Sequence, residues 1–99
     1  FIYLKASDSR PGNAKRDVIT DFDGKADRID LSKVDANSRK KGLQRFTFIG
    51  ARRFSGRPGE LRYAKGLLQG NLNRDRRPEF EIKVIVKHGK LTKKRLKLK

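Results

Sequence analysis

Residues 70–80, GNLNRDRRPEF, hold the densest run of potentially functional side chains in the chain. Short oxygen-bearing side chains recur at every second position, Asn71, Asn73 and Asp75, and Glu79 follows. That spacing suits a calcium loop, where alternate side chains turn inward to give a hard cation about six to eight oxygens. Together with the Arg77 carbonyl, these four residues are the candidate ligands. Only Asp75 and Glu79 are carboxylates, however, and Arg74, Arg76 and Arg77 crowd the same stretch. An EF-hand is excluded: counted from Asn71, the turn position that needs glycine is Arg76, and the bidentate closing glutamate is replaced by Ile82. The plainer reading is a polar loop in which Asp75 and Glu79 pair with neighbouring arginines.

A second acidic group, Asp17, Asp21 and Asp23, reads by itself as strand-end and turn residues, Asp23 before Gly24 being a good turn start. His88 is the single histidine and sits beside Gly89, so it can build neither a zinc site nor a triad. No nucleophile elbow and no glycine-rich phosphate loop occurs, so the sequence predicts no enzyme and no small-molecule substrate. Cysteine is absent, which removes disulfides and zinc thiolates.

Cations are the strongest compositional signal. Lys and Arg number 27 against 11 Asp and Glu, a net charge of +16. Residues 1–30 balance, and the whole excess lies in residues 31–99. It gathers at Arg39, Lys40 and Lys41; at Arg52, Arg53 and Arg57; at Arg74, Arg76 and Arg77; and at Lys93, Lys94, Arg95, Lys97 and Lys99. Such clusters attract phosphate, sulfate and uronate through charge and counterion release. Base-specific recognition is not indicated, since no helix-turn-helix, zinc finger or aromatic RNA-binding pattern is present. The expected partners are therefore polyanions, bound without specificity: nucleic acid, lipopolysaccharide or an anionic polysaccharide.

The elements that must carry these loops are strands. In FEIKVIV at 80–86, Phe80, Ile82, Val84 and Val86 point one way while Glu81, Lys83 and the following Lys87 mostly point the other, a strand with one wet face. Further strands are expected at 1–4, 17–22 and 45–50, a strand or hairpin at 61–70, and an edge strand at 96–99. Residues 28–37 start extended and end in a helical turn. The expected core is Ile2, Leu4, Val18, Ile19, Phe22, Ile29, Leu31, Phe46, Phe48, Phe54, Leu61, Tyr63, Leu67, Phe80, Ile82 and Val84. This makes one domain, residues 1–99, mostly β with short helical turns, and a monomer. No run is long and apolar enough for a membrane helix.

DVITDFDGKADRIDLSKVDAN, FTFIGARRFSG and GELRYAKGLLQGNLNRDRRPEFEIKV, taken in order, resemble the C-terminal region of serralysin-family secreted metalloproteases over about residues 1–86. The R-modules of alginate epimerases share the DVITDFD…DRID opening. The resemblance implies a small β module that caps the end of an RTX parallel β-roll. It also implies calcium, export by a type I system, an extracellular location and no catalysis in this segment. It implies too that Asp17 and Asp21 help to close the last roll site. The departures are concentrated in charge. The family's loop reads Asp-x-Asn-Gly-Asp-Gly-x-x-Asp, whereas here Asn71 and Glu79 replace aspartates and Arg74 and Arg76 replace glycines. The nonapeptide calcium repeats are absent, and Arg95 stands in place of the acidic residue of the terminal signal. The expected module is thus calcium-associated by descent, with a surface recharged by adaptation or by engineering (a supercharged variant). Two alternatives stand beside it: a cationic, antimicrobial effector at anionic membrane surfaces, suggested by KLTKKRLKLK, and an alginate-like polysaccharide binder.

Overall fold

A computed structural model describes residues 1–5, 8–12, 15–37, 42 and 44–98. Among the described residues seven strands follow in order: β1 Asp17–Asp23, β2 Ile29–Asp30, β3 Thr47–Phe48, β4 Glu60–Ala64, β5 Leu67–Asn71, β6 Phe80–His88 and β7 Leu96–Lys97. A 3-10 turn, Lys93–Arg95, precedes β7. Five strands make one mixed sheet in the order β1-β6-β5-β4-β3, and β2 pairs with β7 in a small second sheet. The mostly-β expectation holds. The β4–β5 and β5–β6 pairs are antiparallel, while β1–β6, β3–β4 and β2–β7 are parallel.

β6 organises the core. Phe80, Ile82 and Val84 are fully buried on one face, against Leu61 from β4 and Leu68 from β5. β1 contributes Ile19 and Phe22, three residues apart, which strict alternation would place on opposite faces. A register shift between them, a bulge in the pairing with β6, brings Phe22 inward in place of Asp21. The β4–β5 hairpin turns on Lys65 and Gly66, both at positive φ, which matches the strand twist of a tight two-residue connection. Gly70 is required for space: a Cβ there would stand 2.8 Å from the Phe46 ring, which stacks with Phe80.

Several expected core positions are outside. Ile2, Leu4 and Val18 are 71%, 65% and 50% exposed. Residues 1–4 are not a strand. They make one bridge, Ile2 to Asp30, and the buried side chain is Tyr3, edge-on to Phe80. Val18 lies opposite Lys83, on the outer face of the sheet. Leu67 is half-buried while its neighbour Leu68 is fully buried. Residues 31–37 form bends and turns without a helical turn, yet they bury Val34 and Ala36. Leu72, Leu91 and Leu96 complete the core from loops and the C-terminal strand.

Candidate functional site

The loop after β5 is built from three successive side-chain turns. Asn71 Oδ1 accepts from the Asn73 N–H, Asn73 Oδ1 from Asp75, and Asp75 Oδ1 from Arg77. The Asn71 amide, fully buried, donates its N–H to the Asp75 carbonyl, and Glu79 Oε1 accepts from Leu72 N at 2.8 Å. Asp75 lies within hydrogen-bonding reach of Glu79. Burial, together with that neighbouring carboxylate, pushes the Glu79 carboxyl above its ordinary value. Neither acid pairs with an arginine: the ion pair formed among the described residues is Arg16–Glu81.

This donor set does not fit calcium. Asparagine has one side-chain oxygen, and those of Asn71 and Asn73 are already engaged by backbone N–H groups. The Asn71 N–H, a donor, occupies the Asp75 carbonyl. What remains is the second oxygen of each of Asp75 and Glu79, which lie within hydrogen-bonding reach of each other, and the Arg77 carbonyl, far short of the cation's demand. Among the described residues no three acidic or histidine side chains gather into a metal-holding group. The beat of oxygens seen in the sequence is real, but the loop uses it to close on itself. Asp17 and Asp21 lie on β1. Asp17 is beside the Tyr3 hydroxyl, whose pKa is raised by burial and by that carboxylate, and its N–H donates to Ser9 Oγ; Asp21 is exposed. Asp23 serves a turn, accepting from Lys25, Ala26 and Asp27.

Two arginine clusters remote in sequence are neighbours in space. The Gly56 backbone packs against the 74–76 stretch so closely that a Cβ on Gly56 would lie 3.3 Å from the Arg74 carbonyl and 3.8 Å from Arg76 Nε. Arg52, Arg53, Arg57, Arg74, Arg76 and Arg77 are all exposed. Glu60, 9% exposed, fixes the first loop by accepting from Ser55 N at 2.8 Å and Ser55 Oγ at 2.9 Å. Arg39, Lys40, Lys41 and Lys99 lie outside the described residues. In the tail, Lys93, Lys94 and Lys97 are exposed and Arg95 is half-buried. Leu91 and Leu96 are buried, and Leu98 packs on the core.

The residues between these loops escaped the sequence reading. On the polar face of the sheet Arg62, Gln69 and Glu81 lie side by side on β4, β5 and β6. Arg62 donates to Gln69 Oε1 at 2.8 Å, and Gln69 donates to Glu81 Oε1 at 2.7 Å. Glu81 Oε2 accepts from Gly12 N and Arg16, both at 3.0 Å. Glu81 is therefore 4% exposed rather than wet, because Gly12 and Arg16 lie over this face. Burial acts to raise its pKa, but the hydrogen bonds from Gly12, Gln69 and Arg16 outweigh it and hold the carboxyl below the usual glutamate value. No local signal marks this: Glu81 sits at an outward position of a clean alternation, and only long-range contacts bury it.

The fold is that of a small mixed-sheet β module whose arginine clusters are carried on loops at one end of the sheet. The family comparison makes that specific. The chain matches the family described as Peptidase M10 serralysin C terminal over residues 1–94, and it belongs to that family. The serralysin C-terminal domain is a non-catalytic part of the protease. No curated protein matches the chain.

Proposed function

We propose that the chain is a non-catalytic structural module of a secreted, serralysin-type protein, and that its cationic surface binds polyanions. The observation that carries this reading is the meeting of the 52–57 and 74–77 loops, which puts exposed guanidiniums together with no carboxylate paired to them among the described residues. Membership of a family whose C-terminal domain closes a larger protein supports the structural half. The membrane-surface alternative draws less support, because the leucines of KLTKKRLKLK pack inward. Calcium has no part in the proposal, since the 71–79 loop meets its own hydrogen-bonding needs.

The test is binding to heparin and to DNA as salt rises. If four or five cations make contact, affinity falls by roughly two to three decades between about 50 and 200 mM salt. Absence of binding at the lower salt refutes the polyanion half. Melting in EDTA checks the rest: the module should unfold cooperatively at a temperature that millimolar calcium does not raise.

A further inference from the structure

We propose that the arginine loops form a defined groove for a linear acidic polysaccharide, one bearing sulfate or carboxylate groups, rather than a diffuse cationic surface. The proposal rests on the polyanion reading above and narrows it to a place and a ligand class.

Two cavities abut at Arg53. One, of about 560 Å³, is bounded by Arg52, Arg53, Arg57, Thr47, Ser55 and Glu60 among others. The other, of about 500 Å³, is enclosed by Arg53, Phe54, Arg62, Gln69, Arg76 and Pro78. Five arginines thus face one glutamate, and both oxygens of that glutamate are engaged by Ser55. The floor is braced. Arg62 Nε donates to the Arg52 carbonyl at 2.8 Å, its other nitrogens reach Ala51 O at 3.3 Å and Gln69, and its guanidinium lies 5.8 Å over the Phe54 ring. All of these partners are neutral, so Arg62 keeps its full charge in the floor. Arg52, Arg53, Arg57 and Arg76 stand exposed around it.

The choice of ligand follows from what the groove has and lacks. Every cation in it is arginine, whose planar fork matches a carboxylate or sulfate by two parallel hydrogen bonds, where lysine offers a point charge. Its hydroxyls, Thr47 and Ser55, and the Gln69 amide suit sugar hydroxyls. A stacking platform is missing. Single-stranded nucleic acid gains much of its affinity from bases laid on aromatic faces. Here the one aromatic ring, Phe54, is 8% exposed and covered by Arg62. A densely acidic sugar chain carries no bases to stack and can bind through its charged groups alone.

Two triple variants of equal charge test this. R53Q/R57Q/R76Q empties the groove, and K25Q/K87Q/K90Q removes three cations at the far end of β6, about 25 Å away at 3.3 Å per residue. Each takes the net charge from +16 to +13. Binding of a heparin decasaccharide and of a single-stranded DNA of matched charge is measured by titration near 150 mM salt, with circular dichroism melts confirming both folds. The groove variant should lose at least about tenfold in heparin affinity and the distal variant less than about threefold. Equal losses overturn the groove and leave the general polyanion reading standing. No heparin binding by the wild type overturns both. Groove-dependent binding that is tighter for DNA than for heparin overturns the ligand class. If the groove triple variant fails to fold, R57Q and R76Q, both exposed positions, are compared singly with K87Q under the same criteria.

Discussion

Replacing Glu81 by alanine should cost more stability than any other single change on the polar face. The carboxylate is 4% exposed and takes hydrogen bonds from Gly12 N, Arg16 and Gln69. Its removal strands all three donors and leaves Arg16, whose Nε already lacks a partner, as a buried unpaired cation. Breaking a buried ion pair from one side costs about 3–5 kcal/mol. Domains of this size have about 5–15 kcal/mol in all, and each kcal/mol moves the midpoint by about 4–8 °C. A fall of about 15 °C or more is expected at pH 7, followed by circular dichroism. Replacing both partners, R16M/E81L, should recover much of it, since an apolar pair of similar volume carries no stranded charge. The same carboxyl sets an acid limit. Its folded pKa lies below the unfolded value near 4.5, so its contribution is complete above that value and is lost as pH falls through the folded one. E81A should therefore show a shallower loss of stability with acid than the wild type. If E81A melts within about 4 °C of the wild type, Gly12 and Arg16 are not held in place by this carboxylate and the reasoning fails.

Other consequences are sharp enough to measure. A Cβ at Gly24 would stand 2.5 Å from both the nitrogen and the oxygen of Lys90 and 2.8 Å from the His88 carbonyl. Backbone cannot swing aside as a side chain can, so Gly24→Ala should cost about 2–3 kcal/mol in a denaturant melt. Glu79 titrates in the opposite sense to Glu81. Its folded pKa is raised, so the charged form is disfavoured in the fold and its destabilising effect grows as pH rises through that value. Glu79→Gln should raise the midpoint at pH 7 by a few degrees and change nothing at pH 3. A loss of stability at pH 7 that appears only in calcium would show instead that the carboxylate serves a cation.

What the sequence disclosed follows from the range of the forces involved. Strands with local alternation, such as 80–86, were legible because each residue's face depends on its immediate neighbours. At 61–70 the sequence left a strand or a hairpin open, and the structure resolves it as the β4–β5 hairpin turning at Lys65 and Gly66. FIYL misled because its apolar run pairs at one residue only, so just Tyr3 reaches the core. The DVITDFD bulge could not be seen, since it is a property of the pairing with β6. In the candidate site, the arginine clusters were visible but their adjacency was not. The contact of Gly56 with Arg74 joins positions separated by a whole hairpin. The asparagines and acids of 71–79 were picked out for their oxygens, and the spacing that would serve a cation serves consecutive turns equally well.

Charge placement has one more consequence, which couples stability to binding. Like-charged loops are held together at 52–57 and 74–77, and residues 31–99 carry all of the excess charge. Their mutual repulsion opposes folding and is felt across solvent, where the screening length shrinks from about 10 Å at 0.1 M salt to about 3 Å at 1 M. The Arg16–Glu81 pair is mostly buried, at 15% and 6% exposure, and is screened far less. Added sodium chloride should therefore raise the melting temperature while it weakens polyanion binding, so that the two quantities move in opposite directions in one titration series. Melting temperature and affinity falling together would mean that the surface arginines are engaged in attractive pairs, and the free guanidiniums required by the groove would not exist.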